Sequence, residues 1–330
     1  MSKVLVTGCA GLLGSHFTRY LVKSGHEVIG VDDLSGGYID HVDTSIDFFE
    51  RNLVDADKLE KIFVDTKPDY VYHFAAYAAV GVSPFIRNFN YTNNVVASAN
   101  VINCSINHCV KKVIFTSSMD VYGSQESPFT EDMRPMPEDP YGIAKYTVEQ
   151  DLEAARRFFG LQYSIARPHN VFGVYQNIWD KYRNVLGIWI RQTLSEQPIT
   201  IYGDGSQVRS FSDIKYYMEP FEKLMHLGDG QTYNLGADSK ITILEAAKKF
   251  CSVAEKLGHK TEIIHLEPRD EVQVAYCDHS KAKEQLGFKD ETKFEDLITE
   301  MFAWAKSQPN HPVKMMKYEV DKKMYSFWKA

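Results

Sequence analysis

The residues best suited to chemistry in this 330-residue sequence are two serines, a tyrosine and a lysine. Ser117 and Ser118 end an apolar, β-branched run that begins at Lys112, and Tyr141 and Lys145 follow on a predicted helix start. Residues four positions apart share one side of a helix, so the ammonium can favour the ionised phenol. Free tyrosine titrates near pH ~10, and a fixed cation lowers that value towards the range of a useful base. This set could remove the proton of an alcohol if a hydride acceptor lay beside it.

A hydride acceptor is predicted by the β-α-β pattern at the start of the chain. The apolar run 3–7 leads into a turn with glycines at positions 8, 11 and 14, and a second short run ends at Asp32. Such glycines allow a pyrophosphate to approach a helix N-terminus closely, and the carboxylate accepts hydrogen bonds from the adenosine ribose. Asp32 also disfavours a 2′-phosphate on that ribose, since two negative groups would meet. The pattern predicts NAD in preference to NADP.

Strand and helix signals alternate through the first half of the chain and predict an α/β fold with a doubly wound parallel sheet. After residue 172 the composition changes: residues 174–181 are rich in Tyr, Gln, Asn and Trp, and an apolar helix follows around 185–194. We therefore predict an NAD-binding Rossmann domain at 1–172. A smaller, mixed α/β substrate domain is predicted at 173–330, with some segments returning to the first domain. The sequence predicts no role for the tail 309–330.

Two predicted helices carry apolar stripes with the helical period. The stripes run through Val95, Ala99, Ile102 and Ile106, and through Val148, Leu152, Ala155 and Phe159. Such stripes are typical of helices that pack against a sheet. The alternative is a helix bundle that joins two subunits, and on that interpretation the protein is a homodimer.

The composition argues against several classes of protein. A net charge of −7 disfavours a generic nucleic-acid binder, and no uncharged apolar run is long enough to span a membrane. The five cysteines form no C-x-x-C pair, which favours free thiols in a reducing compartment, and the first residues lack the apolar core of a secretory signal. Cytoplasmic localisation is therefore predicted. No metal site is predicted, because His73 and His169 have no suitably spaced partner ligands.

With these motifs in order, the sequence resembles the extended short-chain dehydrogenase/reductase family. It is most similar to the NAD-dependent nucleotide-sugar epimerase/dehydratase branch and its UDP-glucose 4-epimerase-like members, over a stretch from Lys3 to about Trp304. The resemblance implies catalysis by Ser118, Tyr141 and Lys145, NAD as cofactor and a UDP-hexose as substrate. The cofactor-binding positions that it implies are Gly8, Gly11, Leu12, Leu13, Gly14, Asp32, Asp33, Asn52, Leu53, Ala75, Ala76, Asn93, Ser117, Tyr141, Lys145 and Pro168. The substrate-binding positions that it implies are Val80, Ser118, Asn170, Thr200, Tyr202, Arg209 and Arg269.

Several of these positions have a physical rationale. Arg209 ends the run G-D-G-S-Q-V-R and Arg269 lies in E-P-R-D-E-V, and guanidinium groups pair with phosphate oxygens in bidentate fashion. The resemblance places Tyr202 beside the nucleobase and Asn170 beside the sugar diphosphate. Asn52 stands where the family often has an aspartate that reaches the adenine amine, and its amide oxygen can accept the same hydrogen bond.

Asp120 leaves the reaction open. The 4-epimerases of the family commonly have a small or neutral residue at this position, whereas 4,6-dehydratases and UDP-glucuronate decarboxylases have a glutamate. The leading prediction is epimerisation at C4 through a transient 4-keto sugar. In the alternative, Asp120 removes the C5 proton of that sugar and water is lost, or a decarboxylation follows. Asp120 could also be a solvated or helix-capping residue, and a non-catalytic nucleotide-binding protein is the third interpretation.

Overall fold

The structure is a computed structural model that describes residues 1–329. Its strands are β1 Lys3–Thr7, β2 Glu27–Asp32, β3 Asp47–Glu50, β4 Tyr70–His73, β5 Lys112–Thr116, β6 Tyr163–Pro168, β7 Val171–Phe172, β8 Ile199–Tyr202, β9 Val208–Arg209, β10 Ser212–Asp213, β11 Gln231–Leu235, β12 Ile241–Thr242 and β13 Ile263–Leu266. Its helices are α1 Leu12–Lys23, α2 Ala56–Thr66, α3 Arg87–Tyr91, α4 Ala97–Asn107, α5 Pro140–Phe159, α6 Val185–Leu194, α7 Met218–Lys223, α8 Ile243–Lys256, α9 Ser280–Leu286 and α10 Phe294–Ser307.

A seven-stranded parallel sheet forms the centre of the fold, in the order β11-β6-β5-β4-β1-β2-β3. The predicted doubly wound α/β fold is confirmed. The strand order reverses between β1 and β4, because the chain goes from β1 to β2 on one side and reaches β4 on the other. In open sheets of this kind, ligands bind at the carboxyl ends of the strands beside such a reversal.

The helices α4 and α5 pack against one face of the sheet. Ile102, Val148, Leu152 and Ala155 are buried in one apolar cluster with residues of β1, β4 and β5. For these four residues, packing against the sheet is confirmed. Phe159 does not follow the stripe: it is 67% exposed at the end of α5, just before the left-handed residue Gly160 that ends the helix.

The second half of the chain builds its own apolar cluster and also returns to the sheet. The cluster joins α6, α8, α10 and β8 around the fully buried rings of Trp189 and Phe250. Residues 185–194 form a helix, as predicted. The strand β11 pairs with β6 at the edge of the main sheet. A domain boundary at residue 172 stays a prediction.

Within residues 1–329, no helix has the length and apolar character needed to cross a membrane. All five cysteines are free thiols. Cytoplasmic localisation stays a prediction.

Candidate functional site

A cavity of about 500 Å³ opens at the carboxyl ends of β1, β4 and β5 and extends towards β8 and β9. Every predicted cofactor-binding and substrate-binding residue lines it, together with the catalytic candidates Ser118, Tyr141 and Lys145. Asp120 is the one predicted site residue that does not. The fold therefore gathers side chains from positions 8 to 269 of the chain around one space.

The glycine turn after β1 is tight enough to exclude larger residues. A Cβ atom at Gly14 would lie 2.2 Å from the carbonyl oxygen of Gly8. Gly8 has a left-handed φ of 71°, and a Cβ there would lie 2.7 Å from the backbone nitrogen of Ala75, just beyond β4. These glycines let the turn press against the neighbouring strand end while its backbone stays open to the cavity, as binding of a pyrophosphate requires.

Asp32 ends β2 and organises the same turn. One carboxylate oxygen accepts a hydrogen bond from the Ala10 nitrogen at 2.9 Å, and the other accepts one from the Leu34 nitrogen at 2.8 Å. Burial raises the pKa of Asp32, and these two backbone donors oppose the shift. Its carboxylate also borders the cavity, where it can accept hydrogen bonds from ribose hydroxyls.

Asn52 lies on the exposed side of this region. Its amide nitrogen donates to Asp33 at 2.9 Å, and its amide oxygen accepts from the Val54 nitrogen at 2.8 Å. The oxygen that was expected to reach the adenine amine therefore already has one donor. A carbonyl oxygen has two lone pairs, so one acceptor position stays open.

The first turn of α5 places Tyr141 opposite the end of β5. Asp139 caps the helix: its carboxylate accepts hydrogen bonds from the backbone nitrogens of Tyr141 at 2.8 Å and Gly142 at 3.1 Å. One turn later, Lys145 donates from Nζ to the Thr116 carbonyl at 2.8 Å, and its Nζ lies 5.8 Å from the centroid of the Tyr141 ring. The cap and this bond fix the tyrosine and the lysine against the strand end.

The electrostatics of Tyr141 differ from the sequence expectation. Burial raises the pKa of the phenol, and the carboxylates of Asp120 and Asp139 raise it further, while Ser118 and Arg183 act in the opposite direction. Burial also lowers the pKa of Lys145 to about 7. In the protein alone, desolvation and two nearby carboxylates therefore outweigh the lysine that was expected to favour the phenolate.

Asp120 contacts the catalytic candidate Ser118 without lining the cavity. Its carboxylate accepts a hydrogen bond from the Ser118 hydroxyl at 2.6 Å. Burial raises its pKa, and Ser118 and Arg209 oppose the shift. Burial and the charge of Asp120 also raise the pKa of Asp139 to about 6. Asp120 is thus a partner of Ser118 and not a solvated turn residue.

The far end of the cavity is built from charged side chains of distant segments. Arg209 and Arg269 share one carboxylate, that of Glu271, at 3.1 Å and 3.5 Å. The guanidinium carbon of Arg269 lies 3.8 Å from the centroid of the Tyr202 ring. Asn170 has a left-handed φ of 45°, and its buried Nδ2 has no hydrogen-bond partner within residues 1–329. These groups offer two cations, an aromatic face and a spare donor to an anionic, aromatic ligand.

Comparisons with known proteins agree with this arrangement. The model of the NAD dependent epimerase/dehydratase family matches residues 4–236. The chain belongs to this family. A putative UDP-glucose 4-epimerase of Methanocaldococcus jannaschii is 31% identical over an alignment of 313 residues, which covers 92% of this chain and 98% of the relative.

Two solved structures of family members resemble the whole fold. The Thermotoga maritima UDP-glucose 4-epimerase with UDP-glucose superposes with a TM-score of 0.87 at 31% identity, covering 92% of this chain and 98% of that one. The UDP-N-acetylglucosamine 4-epimerase of Methanobrevibacter ruminantium, in complex with UDP-N-acetylmuramic acid, gives 0.85 at 30% identity and covers 93% and 99%. The expected membership of an NAD-dependent epimerase family is confirmed.

Arg183 is a cavity residue of this family member that the sequence reasoning missed. Its Nε donates to the buried Asp180 at 2.7 Å, and its guanidinium carbon lies 4.7 Å from the centroid of the Tyr77 ring. A Cβ atom at Gly36 would lie 2.8 Å from one of its terminal nitrogens. The signal was present as an arginine just before the apolar helix α6, but only the tertiary structure brings it next to Gly36, in the loop that follows β2.

Proposed function

We propose that this protein is an NAD-dependent 4-epimerase of nucleotide sugars with a UDP-hexose as its substrate. The observation that carries the proposal is the meeting of Ser118, Tyr141 and Lys145 with the glycine turn and the arginine pair in one cavity. The names of the similar proteins support epimerisation at C4 and a uridine nucleotide: a UDP-glucose 4-epimerase solved with UDP-glucose and a UDP-N-acetylglucosamine 4-epimerase.

The cofactor half of the cavity fits a dinucleotide. The glycine turn would receive the pyrophosphate and Asp32 the adenosine ribose. The buried hydroxyl of Ser117 has no hydrogen-bond partner within residues 1–329, so a polar group is available at the end of β5. When bound there, NAD supplies a hydride acceptor that takes up the hydrogen of the sugar C4 and later gives it back.

The chain's own residues move the proton of the same alcohol. In this proposal Tyr141 acts as its phenolate and takes the proton of the C4 hydroxyl as the C4–O single bond becomes a carbonyl, and Ser118 shares that proton. The 4-keto sugar then turns over in the cavity, and Tyr141 returns the proton when the other face is reduced. Positioned proton transfer of this kind contributes about 10²–10⁴ in rate.

Asp120 acts on Ser118 in this proposal and does not act on the sugar. The serine hydroxyl has one proton, which it donates to Asp120 at 2.6 Å in the protein alone. Asp120 therefore competes with Tyr141 for that proton and sets the orientation of the hydroxyl. Dehydration with Asp120 as a C5 base would need the carboxylate to reach the cavity, which it does not line.

The reaction is tested by incubating the purified protein with UDP-glucose and, separately, with UDP-N-acetylglucosamine. We expect an isobaric product that co-migrates with the corresponding galacto-sugar in chromatography and mass spectrometry. Loss of water would identify a 4,6-dehydratase and would overturn the epimerase proposal. Binding of NAD without any product from a panel of UDP-, dTDP- and GDP-sugars would favour the non-catalytic interpretation.

The role of Tyr141 is tested by Tyr141→Phe, with Tyr146→Phe as a matched control on the same helix. We expect Tyr141→Phe to lower kcat by about 10²-fold or more, because the group that transfers the proton is lost. Tyr146 does not line the cavity, and its variant should retain wild-type kcat. Unchanged epimerisation by Tyr141→Phe would contradict the assignment.

We also propose that the protein forms a homodimer through the outer faces of α4 and α5. The inner face of α5 is covered by the sheet, whereas Ile143 and Phe158 on the same helix are 38% and 68% exposed. Val96, just before α4, is 46% exposed, and α4 packs beside α5. Light scattering should give twice the monomer mass, and Ile143→Glu should reduce it to the mass of one chain.

A further inference from the structure

The last residues of the chain form a long irregular segment, residues 309–329, which we call the C-terminal strap. It begins near the loop that follows β2, where His311 stacks on Tyr38 at a centroid distance of 3.9 Å. The carboxylate of Glu319 then accepts hydrogen bonds from the backbone nitrogens of Asn88 at 2.6 Å and Phe89 at 2.8 Å. The strap thus runs from the loop after β2 to the N-terminus of α3.

The end of the strap is buried among aromatic rings. Trp328 is 1% exposed, and its ring centroid lies 5.3 Å from that of Tyr182 and 5.9 Å from that of Phe85. Its carbonyl accepts a hydrogen bond from the Tyr318 hydroxyl at 3.1 Å. Full burial of a tryptophan removes a large apolar area from water, so this end of the strap is firmly held.

The strap contacts the loop that carries Arg269 on both sides of that residue. Before Arg269, the carboxylate of Glu267 accepts hydrogen bonds from the Ser326 nitrogen at 2.7 Å and the Ser326 hydroxyl at 2.8 Å. After it, the Asp270 nitrogen donates to the Tyr325 hydroxyl at 3.0 Å. Two adjacent strap residues therefore fix the backbone that presents the arginine to the cavity.

The strap also reaches the aromatic residue at this end of the cavity. The Phe327 ring lies against the Tyr202 ring, with the ring centroids 4.8 Å apart. Arg269 contacts the same tyrosine. Gly81 lies between Arg269 and Trp328: a Cβ there would be 3.1 Å from the arginine Nη1 and 3.4 Å from the indole ring. The strap, Arg269 and Tyr202 thus form one packed unit.

We propose that the C-terminal strap is a positioning element of the nucleotide-sugar site. It holds Arg269 and Tyr202 in the orientation that binds the nucleoside diphosphate of the substrate, and it leaves the chemistry at Tyr141 unchanged. This inference rests on the proposed function, since it assumes a nucleoside diphosphate at this end of the cavity. The superpositions cover 98% and 99% of the two similar structures but 92% and 93% of this chain. Part of this chain therefore has no counterpart in them.

The proposal is tested with the full chain and three variants: Trp328→Ala, Phe327→Ala and Ser326→Ala. We expect Trp328→Ala and Phe327→Ala to raise both the KM for the UDP-sugar and the Kd for UDP, measured by calorimetry, by about tenfold or more. Ser326→Ala removes one of two hydrogen bonds to Glu267 and should raise them by roughly threefold. The kcat and the amount of NAD retained on purification should stay at wild-type levels.

The control variant is Lys322→Ala, whose side chain is exposed on the same strap. It should leave KM, kcat and UDP binding unchanged. A second control uses the partner of Ser326: in a Glu267→Ala background, adding Ser326→Ala should have no further effect on KM. If the strap contributed only to stability, its variants would lower the melting temperature without raising KM at unchanged kcat.

Wild-type affinity for UDP in folded Phe327→Ala and Ser326→Ala proteins would overturn the proposal, whatever the stability of Trp328→Ala. A fall in kcat at unchanged KM would overturn it as well. The measurement also separates the two proposals. A wild-type protein that binds UDP but converts no UDP-sugar would refute the epimerase function, and weaker UDP binding by the variants would still support the strap.

Discussion

The two halves of the cavity are built in different ways. The cofactor half consists of strand ends and turns from the first part of the chain, and its shape depends on backbone atoms: a Cβ at Gly14 would lie 2.2 Å from the Gly8 carbonyl. The substrate half consists of long side chains from separate segments. There, Arg209 and Arg269 both contact the carboxylate of Glu271, and the C-terminal strap contacts the loop of Arg269 from outside.

This difference predicts how ligand binding in each half responds to substitutions. A backbone-lined site cannot adjust to an added atom, because the neighbouring strand ends are fixed by the sheet. A site made of long side chains can lose one contact and keep the others. Substitutions in the cofactor half should therefore have abrupt effects on NAD, and those in the substrate half graded effects on the nucleotide sugar.

The largest effect is expected for Gly14→Ala. The new methyl group would overlap the Gly8 carbonyl and the Cys9 Cα, both of which are backbone atoms that cannot rotate away. We expect NAD affinity, measured by calorimetry, to fall by roughly 100-fold, or about 2.7 kcal/mol. Gly25→Ala is the control: its Cβ would meet nothing within 4 Å, and only the strain of its left-handed φ remains. Unchanged NAD binding by Gly14→Ala would refute the prediction that substitutions in the cofactor half have abrupt effects on NAD affinity.

A smaller effect, confined to the other half, is expected for Arg209→Met. A hydrogen bond to a charged group contributes about 1.5–3 kcal/mol, so UDP affinity should fall by about tenfold to 100-fold. NAD retention should not change, because Arg209 lies at the far end of the cavity. The exposed Arg157→Met is the charge-matched control. Equal losses of NAD and UDP affinity would contradict the separation of the two halves.

Asp139→Asn tests the boundary between the halves, where the proposed catalytic residue Tyr141 lies. Removing this carboxylate should lower the pKa of Tyr141, since its charge raises it. The acidic limb of the profile of kcat/KM against pH should then move to lower pH. Asparagine keeps the acceptor that caps α5, whereas Asp139→Ala should also lose about 1 kcal/mol of stability.

The same variant has a defined effect on stability against pH. The pKa of Asp139 is raised from 3.8 to about 6, so the folded protein binds the proton more tightly than the unfolded chain. This contribution is fully present below pH 3.8 and is lost as the pH rises through about 6. Urea denaturation of the wild type should show this loss, and Asp139→Asn should show a smaller one, because the pKa values of the buried Asp32 and Asp120 are raised as well. A parallel pH dependence of the two proteins would contradict the assignment.

The smallest effect is expected for Asn52→Ala, at the exposed rim of the cofactor half. Its amide donates to Asp33 in contact with solvent, and such a bond contributes only about 0.5–1.5 kcal/mol. NAD affinity should fall by roughly threefold, with UDP affinity unchanged. A loss as large as that of Gly14→Ala would mean that the rim is as rigid as the turn.

Much of the cofactor half could be predicted because its signals are local. The three glycines lie within one turn, Asp32 ends the next strand of the same β-α-β unit, and Tyr141 and Lys145 share one face of a helix. In each case residues that are close in the sequence are also close in space. Arg183 and the C-terminal strap were missed because their partners are remote in the chain: Arg183 meets Gly36, and Tyr325 meets Asp270. No local pattern encodes such contacts.

The sequence by itself determined the doubly wound sheet and the cofactor, since alternating elements and fixed turns follow from short-range preferences. Most of the residues expected in the cavity came from the resemblance to the family. The tertiary structure decided the electrostatics. It buries Tyr141 beside Asp120 and Asp139, so desolvation and like charge raise the phenol's pKa although a lysine lies one turn away. It also sets Asp120 against Ser118 and away from the cavity lining. Burial and long-range charge depend on the whole packed molecule, and the spacing of residues along the chain does not contain them.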